Sequence, residues 1–365
     1  MKLTGKRFWL LATVLLVVGL LTILSAFIYI GFDFTRLNST NLEQKTVAVE
    51  EPFHSIYVDA DWFNVTVLPK SEGGAATVLA PDGTNLHTEI SVREGILTIE
   101  VKDIRLWYQS FFSYAPGALG TITLYLPEGA YGNLTILSDT GDVSVDSGAP
   151  EVLFFEKAKI ETSTGDVFYH ADMPVDTPFL IFDTKGVLEL ITSTGDVTVC
   201  NTDAYVLHLY TTTGDVSLSE VSVRECSLTT STGDVCLQNL QGDVESTTLT
   251  LYVETSTGDV AVTDTVLAHG EVTTSTGDVT VSGGSTRELS LKTSTGDVEI
   301  LQYTANFMSI ETSTGDVLCD GISSRRFDVR TSSGDVTCPA SAKKGDYCAV
   351  TTSSGDVCIV NTPAE

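Results

Sequence analysis

Apolar and polar residues alternate in short runs around each glycine of a recurring Ser/Thr-Gly-Asp-Val tetrapeptide. Apolar residues lie five positions before the glycine, two after it and four after it, while their neighbours are mostly polar. The residues five positions before are Ile136, Ile160, Leu190, Leu209, Leu228, Val253, Val272, Leu291, Ile310, Val329 and Val350. A period of two predicts two short β-strands per unit, each with one buried face, joined at a Gly-Asp turn.

The tetrapeptide occurs eleven times, and its commonest spacing is 19 residues. A unit of two short strands cannot bury its own apolar face, so neighbouring units must stack. Stacking in register at about 4.8 Å predicts an all-β fold, a parallel β-solenoid of roughly eleven 19-residue rungs. The alternative is a β-propeller, but a blade needs about 40 residues and four strands, twice what this unit supplies.

Residues 45–133 contain strands without the repeated corner. Alternating runs begin at Ser55, Asn64, Gly95 and Thr121. Terminal units of solenoids are atypical, so this segment is predicted to be a strand-rich N-terminal cap on the repeats of residues 134–365.

A charge-free apolar segment precedes the cap, from Phe8 to Phe32. It exceeds the roughly 20 residues that span a membrane, and Lys2, Lys6 and Arg7 precede it. These features predict a transmembrane signal-anchor helix over residues 8–32, a cytoplasmic N-terminus (1–7), a linker (33–44) and a bulk outside the cell membrane. The alternative is a cleaved signal peptide, whose apolar region is normally shorter.

The charge balance limits the partners. The chain has 20 Lys plus Arg and 48 Asp plus Glu, a formal net charge of −28. Nucleic acid and other polyanions would be repelled, so neither is an expected partner. Since charged residues make up only 19 % of the chain and apolar ones 42 %, the composition is that of a folded β-protein.

Two segments carry a family resemblance. The sequence Leu124-Tyr-Leu-Pro-Glu-Gly is followed by Leu134-Thr-Ile-Leu-Ser-Asp-Thr-Gly-Asp-Val and its repeats. Over about residues 45–360 the chain resembles a bacterial β-strand-repeat family of unknown function labelled "putative adhesins". The resemblance implies an envelope-associated, non-enzymatic β-solenoid.

The repeated aspartates are the first candidate for chemistry. They are Asp142, Asp166, Asp196, Asp215, Asp234, Asp259, Asp278, Asp297, Asp316, Asp335 and Asp356. Stacking puts them in one column, where neighbouring carboxylates repel by roughly 1 kcal/mol in water. Either hydrogen bonds from the turns offset this repulsion or cations such as Ca²⁺ bind along the column. The glycine-rich unit of Ca²⁺-binding solenoids is absent, which favours the hydrogen bonds.

Three further sets of residues are candidate sites. The aromatic stretch Asp103–Tyr114 contains Trp107, Tyr108, Phe111, Phe112 and Tyr114, which suit either a glycan- or membrane-contacting patch or a lid over the first rung. The cysteines are Cys200, Cys226, Cys236, Cys319, Cys338, Cys348 and Cys358, and the histidines are His54, His87, His170, His208 and His269. Neither set has a metal-ligand spacing.

The register assigns the cysteines mainly to the core. Cys226, Cys319, Cys338 and Cys348 are predicted to point inward, and Cys236 and Cys358 outward. Cys319 and Cys338 occupy the same inward position of successive units, so a disulfide bridge between them is sterically conceivable. The insertion His170–Pro178 is the clearest irregularity of the repeat and is predicted to be a loop.

These observations predict a membrane-anchored, cell-surface acidic β-solenoid that acts as an adhesin-like binding or scaffold module. No catalytic, cofactor-binding or metal-binding residue is predicted, and the expected partner is an envelope protein or glycan. The alternatives are an envelope structural protein that depends on divalent cations or self-assembles, and a glycan-active β-solenoid enzyme.

Overall fold

The computed structural model describes residues 5–29, 42–70, 74–83, 86–104, 120–146, 153–170, 186–242, 249–324, 326–340 and 344–360. One helix and 25 strands form its regular elements, so the protein is mostly β. The elements are α1 Gly5–Tyr29, β1 Leu42–Val49, β2 Ser55–Asp59, β3 Asn64–Pro69, β4 Ala76–Gly83, β5 Leu86–Arg93, β6 Ile96–Asp103, β7 Thr121–Leu126, β8 Gly129–Ser138, β9 Val143–Asp146, β10 Leu153–Thr164, β11 Val167–His170, β12 Val187–Thr194, β13 Val197–Tyr210, β14 Val216–Thr232, β15 Val235–Gln238, β16 Thr250–Thr257, β17 Val260–Thr276, β18 Val279–Thr295, β19 Val298–Leu301, β20 Thr304–Thr314, β21 Val317–Asp320, β22 Arg326–Ser333, β23 Val336–Thr337, β24 Tyr347–Ser354 and β25 Val357–Val360.

The N-terminal helix corrects the predicted anchor. Among the described residues, no helix is long and apolar enough to cross a membrane. The prediction of a transmembrane signal-anchor over residues 8–32, with the bulk of the chain outside a cell membrane, is therefore wrong on this finding.

Neighbouring units stack as parallel strands in the register that the repeat predicts. In β17 and β18, for example, Val260 lies beside Val279 and Val272 beside Leu291. The inward residues are almost completely buried, as in Val260 at 1 % and Val279 at 0 % exposure. Stacking therefore removes the apolar face of each unit from water, and the result is the parallel ladder of a β-solenoid.

The corners are joined by hydrogen bonds between one rung and the next. The amide of Gly277 donates to the carbonyl oxygen of Thr295 at 3.0 Å, and that of Val279 donates to the Asp297 carbonyl oxygen at 2.9 Å. The buried hydroxyl of Thr293 donates to the carbonyl oxygen of Gly277 at 3.2 Å. The first Thr of the corner therefore links its rung to the preceding one through a buried side-chain hydrogen bond, because a buried hydroxyl needs a partner.

At the N-terminal end, the order of strands in space differs from their order in sequence. β2 lies between β6 and β8, and β3 lies between β7 and β9, all in parallel. β5 then pairs with β6, and β4 with β7, in the antiparallel sense, while β1 is antiparallel to β4. The four predicted runs at residues 55, 64, 95 and 121 are confirmed as strands, and an antiparallel layer covers the outermost of them.

At the C-terminal end, too, the order of strands in space differs from their order in sequence. β24 pairs with both β20 and β22, and β25 pairs with both β21 and β23, all in parallel. The last strands in the sequence therefore fill a place inside the stack. The rung formed by β22 and β23 lies at the end.

Candidate functional site

The corners produce a regular exposed surface, here named the corner ridge. It consists of the two residues before and the Asp after each of the eleven corner glycines. Nearly all are exposed, in contrast with the Thr or Ser before them and the Val after them, which are buried at every corner except that of Gly334. The second of the two is always Ser or Thr, and so is the first except at Asp139. Parallel stacking therefore aligns two hydroxyl columns beside one carboxylate column at a repeat of about 4.8 Å.

The carboxylate column is a continuous hydrogen-bond ladder. The Oδ1 atom of each Asp accepts from the backbone amide of the Asp on the next rung, at 2.7–3.0 Å from Asp142 through to Asp335. The last three members of the ladder are Asp316, Asp356 and Asp335, in that order, because the rung of β24 and β25 lies between that of β20 and β21 and that of β22 and β23. One oxygen of each carboxylate except the last therefore has a structural partner, and this offsets part of the repulsion between neighbours.

The ladder begins earlier than the repeat suggests. The amide of Asp142 donates to Oδ1 of Asn64 at 2.9 Å, and Val65 and Val67 lie beside Val143 and Val145. Residues 55–67 thus form a corner in which Phe63 and Asn64 replace Gly and Asp. This corner lacks the tetrapeptide and was therefore not predicted, although the apolar residues one and three positions after Asn64 keep the spacing.

The structure also brings together a polar cluster that sequence spacing did not reveal. Nδ1 of His170 lies 2.8 Å from Oδ1 of Asp146, and its Nε2 lies 3.1 Å from Nδ2 of Asn201. The backbone position beside His170 on the next rung is Cys200. Both ring nitrogens already have protein partners, so neither is available as the base that would activate a Cys200 nucleophile in this arrangement. Only the pairing of β9, β11 and β13 could have identified the cluster.

Two other histidines, His87 and His269, lie beside single carboxylates. His87 pairs with Asp82 at 3.1 Å, and His269 lies 3.4 Å from Glu288. Over the part of the chain that the structure describes, no group of three or more His, Cys, Asp or Glu residues is arranged to hold a metal ion.

A family model accounts for almost all of the stacked region. The model described as Toastrack DUF4097 matches residues 53–250 and 243–364. The chain belongs to the Toastrack DUF4097 family. This membership confirms the resemblance to the β-strand-repeat family labelled "putative adhesins".

Solved structures similar to this Toastrack chain share little sequence with it. A "putative adhesin" from Bacteroides fragilis is 14 % identical, with a TM-score of 0.35, over 72 % of this chain and 96 % of that one. A "putative adhesin" from Parabacteroides distasonis is 12 % identical, with a TM-score of 0.26, over 88 % and 98 %. A "putative lipid binding protein" from the same species is 10 % identical, with a TM-score of 0.24, over 87 % and 98 %. No curated protein matches the chain.

Three of the four cysteines predicted to point inward are buried in this Toastrack chain, whereas the fourth, Cys338, and the predicted outward Cys358 are half-buried. Cys226, Cys319 and Cys348 are buried and Cys236 is exposed. Burial raises the pKa of the Cys226 thiol to about 12. A hydrogen bond with Cys348, together with burial, raises the pKa of the Cys319 thiol well above its usual value. A protonated thiol is a poor nucleophile, which agrees with a packing role.

No disulfide joins Cys319 and Cys338, and the prediction that they lie on neighbouring rungs is wrong. Both thiols are free. Cys319 lies beside Ile359 of β25, and β25 also pairs with β23, which ends one residue before Cys338. The exchanged rung therefore separates two positions that sequence order makes neighbours, and a disulfide cannot span two rungs.

Two candidate stretches lie largely outside the described residues. Of the aromatic stretch Asp103–Tyr114, only residues 103–104 are described. Of the insertion His170–Pro178, only His170 is described. The proposed lid and loop stay predictions.

Removal of divalent cations tests whether bound cations, and not hydrogen bonds, stabilise the carboxylate column. Because Oδ1 of every Asp in the column except the last already accepts a backbone amide, excess chelator is expected to leave the melting temperature unchanged. Thermal unfolding followed by circular dichroism, with and without chelator at equal ionic strength, checks this. A fall of many degrees that Ca²⁺ restores, but Na⁺ at matched ionic strength does not, would reassign the column to metal binding.

Proposed function

We propose that this Toastrack chain is a non-enzymatic, adhesin-like binding or scaffold module that contacts an extended envelope glycan or protein along its side. The module is a parallel β-solenoid of roughly eleven 19-residue rungs over residues 134–365. Residues 45–133 act as its cap. The corner ridge is the proposed contact surface.

The observation that supports the proposal is the repetition of the corner ridge. Ten of the eleven corners present a pair of Ser or Thr residues, Asp139 takes the first place of the pair in the remaining corner, and all eleven corners carry the same carboxylate. A partner with its own repeating polar groups can use many weak contacts at once, each adding a small contribution. Hydroxyl and carboxylate groups suit the hydroxyls and amides of a glycan or an extended peptide backbone.

The net charge of the chain restricts the class of partner. At −28, the protein repels polyanions, so a neutral glycan or a neutral to basic protein segment fits the ridge better than an acidic polymer. This preference is testable, since attraction to a basic partner falls with added salt, whereas hydrogen bonding to a neutral glycan changes little.

A non-enzymatic role is favoured by the chemistry of the described residues. Their one compact His-centred cluster has both imidazole nitrogens occupied, by Asp146 and Asn201. Buried thiols such as Cys226 are held protonated, with a pKa of about 12. Neither arrangement supplies an activated nucleophile with a free base.

Deleting single repeats tests whether binding is distributed. Removal of residues 277–295 or of residues 296–314 joins equivalent positions and keeps the register. Affinity for neutral polysaccharides on a glycan array, or for immobilised envelope proteins, is expected to fall by about 2- to 10-fold per deletion. If one deletion abolishes binding and its neighbour leaves it intact, a localised site replaces the extended surface.

A matched pair of variants separates the ridge from the other outward positions. Ser294→Ala with Ser313→Ala removes two exposed ridge hydroxyls from neighbouring rungs. Ser290→Ala with Ser309→Ala removes two half-buried hydroxyls from the same rungs, off the ridge. The ridge pair should weaken binding and the control pair should not. Equal loss in both would move the contact surface away from the ridge.

A further inference from the structure

Ring-bearing and charged side chains follow one another along a lateral sheet of the solenoid. The sheet contains β16, β17, β18, β20, β24 and β22, stacked in that order. One residue from each strand in turn forms a line here named the aromatic stripe, which consists of Tyr252, His269, Glu288, Phe307, Tyr347 and Arg326. None of the six is buried. At about 4.8 Å per rung, the stripe is roughly 24 Å long.

Contacts and backbone register join the members of the stripe. The ring centroids of Tyr252 and His269 are 5.8 Å apart, and Nδ1 of His269 lies 3.4 Å from Oε2 of Glu288. Glu288 lies beside Phe307 in register. The ring centroids of Phe307 and Tyr347 are 5.4 Å apart, with an angle of 32° between the ring planes. The carboxylate of Glu288 therefore lies between two pairs of rings.

The rings of the stripe are accessible from outside. Tyr252 is 40 % exposed and Phe307 is 39 % exposed, while the side chain of Glu288 between them is 55 % exposed. At the end of the stripe, the guanidinium carbon of Arg326 lies 5.1 Å from the centroid of the Tyr347 ring. Exposed apolar groups that lie together and are bordered by polar ones are typical of an interaction site.

The chemistry of the stripe fits a sugar chain better than a protein. A protein interface places its aromatic residues in a desolvated core that has few charges, whereas here Glu288 and Arg326 lie in line with the rings. Glu288 can only accept hydrogen bonds and Arg326 can only donate them, and a sugar hydroxyl can do both. The C–H face of a sugar ring is apolar, and it can stack on an aromatic face, which carries partial negative charge.

We propose that the aromatic stripe binds a neutral linear oligosaccharide. Sugar rings stack on Tyr252 and Phe307, while Glu288 and Arg326 hydrogen-bond to the hydroxyls of the chain. The sugar is neutral because a protein with a net charge of −28 repels an acidic polymer. A chain that follows the line of the stripe contacts several of its members at once, and each contact adds a small contribution.

The stripe is separate from the corner ridge. Along β18, Ser294 of the ridge lies six residues after Glu288, which is about 20 Å in an extended strand. The inference therefore goes beyond the proposed function, because the stripe can bind a sugar chain whether or not the ridge contributes.

Removal of single rings tests the stripe. Binding of cellohexaose and of chitohexaose to the full chain is measured by calorimetry, with the same non-glycosidic detergent in every sample to cover the exposed apolar residues of α1. The wild type is expected to bind at least one of these neutral hexasaccharides. Tyr252→Ala and Phe307→Ala should each weaken binding by about 5-fold or more, and Phe307→Tyr, which keeps a ring, should retain it.

Phe168→Ala provides the matched control. Phe168 is 37 % exposed, close to Phe307, but it lies on β11, outside the stripe, so its loss should leave binding unchanged. In the wild type, the aromatic ¹H–¹³C signals of Tyr252 and Phe307 should shift when the hexasaccharide is added, and those of Phe168 should not. This measurement needs no variant.

The ridge variant Ser294→Ala with Ser313→Ala separates the two proposals. Loss of binding in the ring variants alone would support the stripe and count against the ridge. Loss in the ridge variant alone would overturn the stripe, as would the absence of binding to both hexasaccharides at millimolar concentration. Shifts of the stripe signals with an oligolysine peptide, abolished by high salt, in place of shifts with the sugars would assign the stripe to a basic protein segment and also overturn the proposal.

Discussion

Replacing the corner glycine Gly277 by Ala is expected to lower the free energy of unfolding by about 3–5 kcal/mol. A Cβ atom there would lie 2.6 Å from the carbonyl carbon of Gly258 on the preceding rung, and closer still to its oxygen. The atoms in the way are backbone and cannot rotate aside. The residue also has a φ of +151°, which L side chains rarely adopt. Urea unfolding, with hydrogen exchange to locate the loosened rungs, measures the effect.

Gly129 provides the matched control for Gly277. Its φ is +159°, close to that of Gly277, but no atom lies within 4 Å of a Cβ built on it. Gly129→Ala should therefore carry only the backbone cost, about 1 kcal/mol. Equal destabilisation by the two variants would show that backbone conformation, and not the close approach of the rungs, requires glycine at the corners.

The second large effect concerns the carboxylate ladder. Replacing Asp259, Asp278 and Asp297 together by Ala removes three acceptors from the amides of the following rungs, which they bind at 2.7–2.8 Å. Because these amides lie at exposed corners, water replaces part of the lost bonding, and the expected loss of stability is about 2–3 kcal/mol. Chemical unfolding of the triple variant provides the measurement.

Asparagine at the same three positions separates hydrogen bonding from charge. Its side-chain oxygen keeps the acceptor, as Asn64 already does for the amide of Asp142. It also removes carboxylates that repel one another by roughly 1 kcal/mol per neighbouring pair at low salt. The triple Asn variant should be at least as stable as the wild type. A loss as large as that of the Ala variant would mean that the column needs its charge, as a cation-binding column would.

Much of the corner ridge could be predicted from the sequence. The tetrapeptide identifies every side chain of the ladder except the first, Asn64, and the alternation identifies which side chains are buried. The cluster of Asp146, His170 and Asn201 could not be predicted in the same way. Its members are separated by 24 and 31 residues, and only the pairing of irregularly spaced rungs makes them neighbours.

The sequence by itself determined the unit of this protein: two short strands, one buried face and a Gly-Asp corner that recurs most often every 19 residues. These features are local, because they follow from strand periodicity and from the conformations open to glycine. They also explain why Cys226 and Cys348 were correctly placed in the core.

Only the tertiary structure decided which rung lies beside which. All corners carry the same residues, so any rung matches any other in register, and the repeat does not encode their order. At the C-terminal end, β24 and β25 lie between β20 and β21 on one side and β22 and β23 on the other, and this separates Cys319 from Cys338. At the N-terminal end, β6 and β7 lie outside β2 and β3. Because the repeat is compatible with any order, the order depends on contacts between rungs that exist only in the packed molecule.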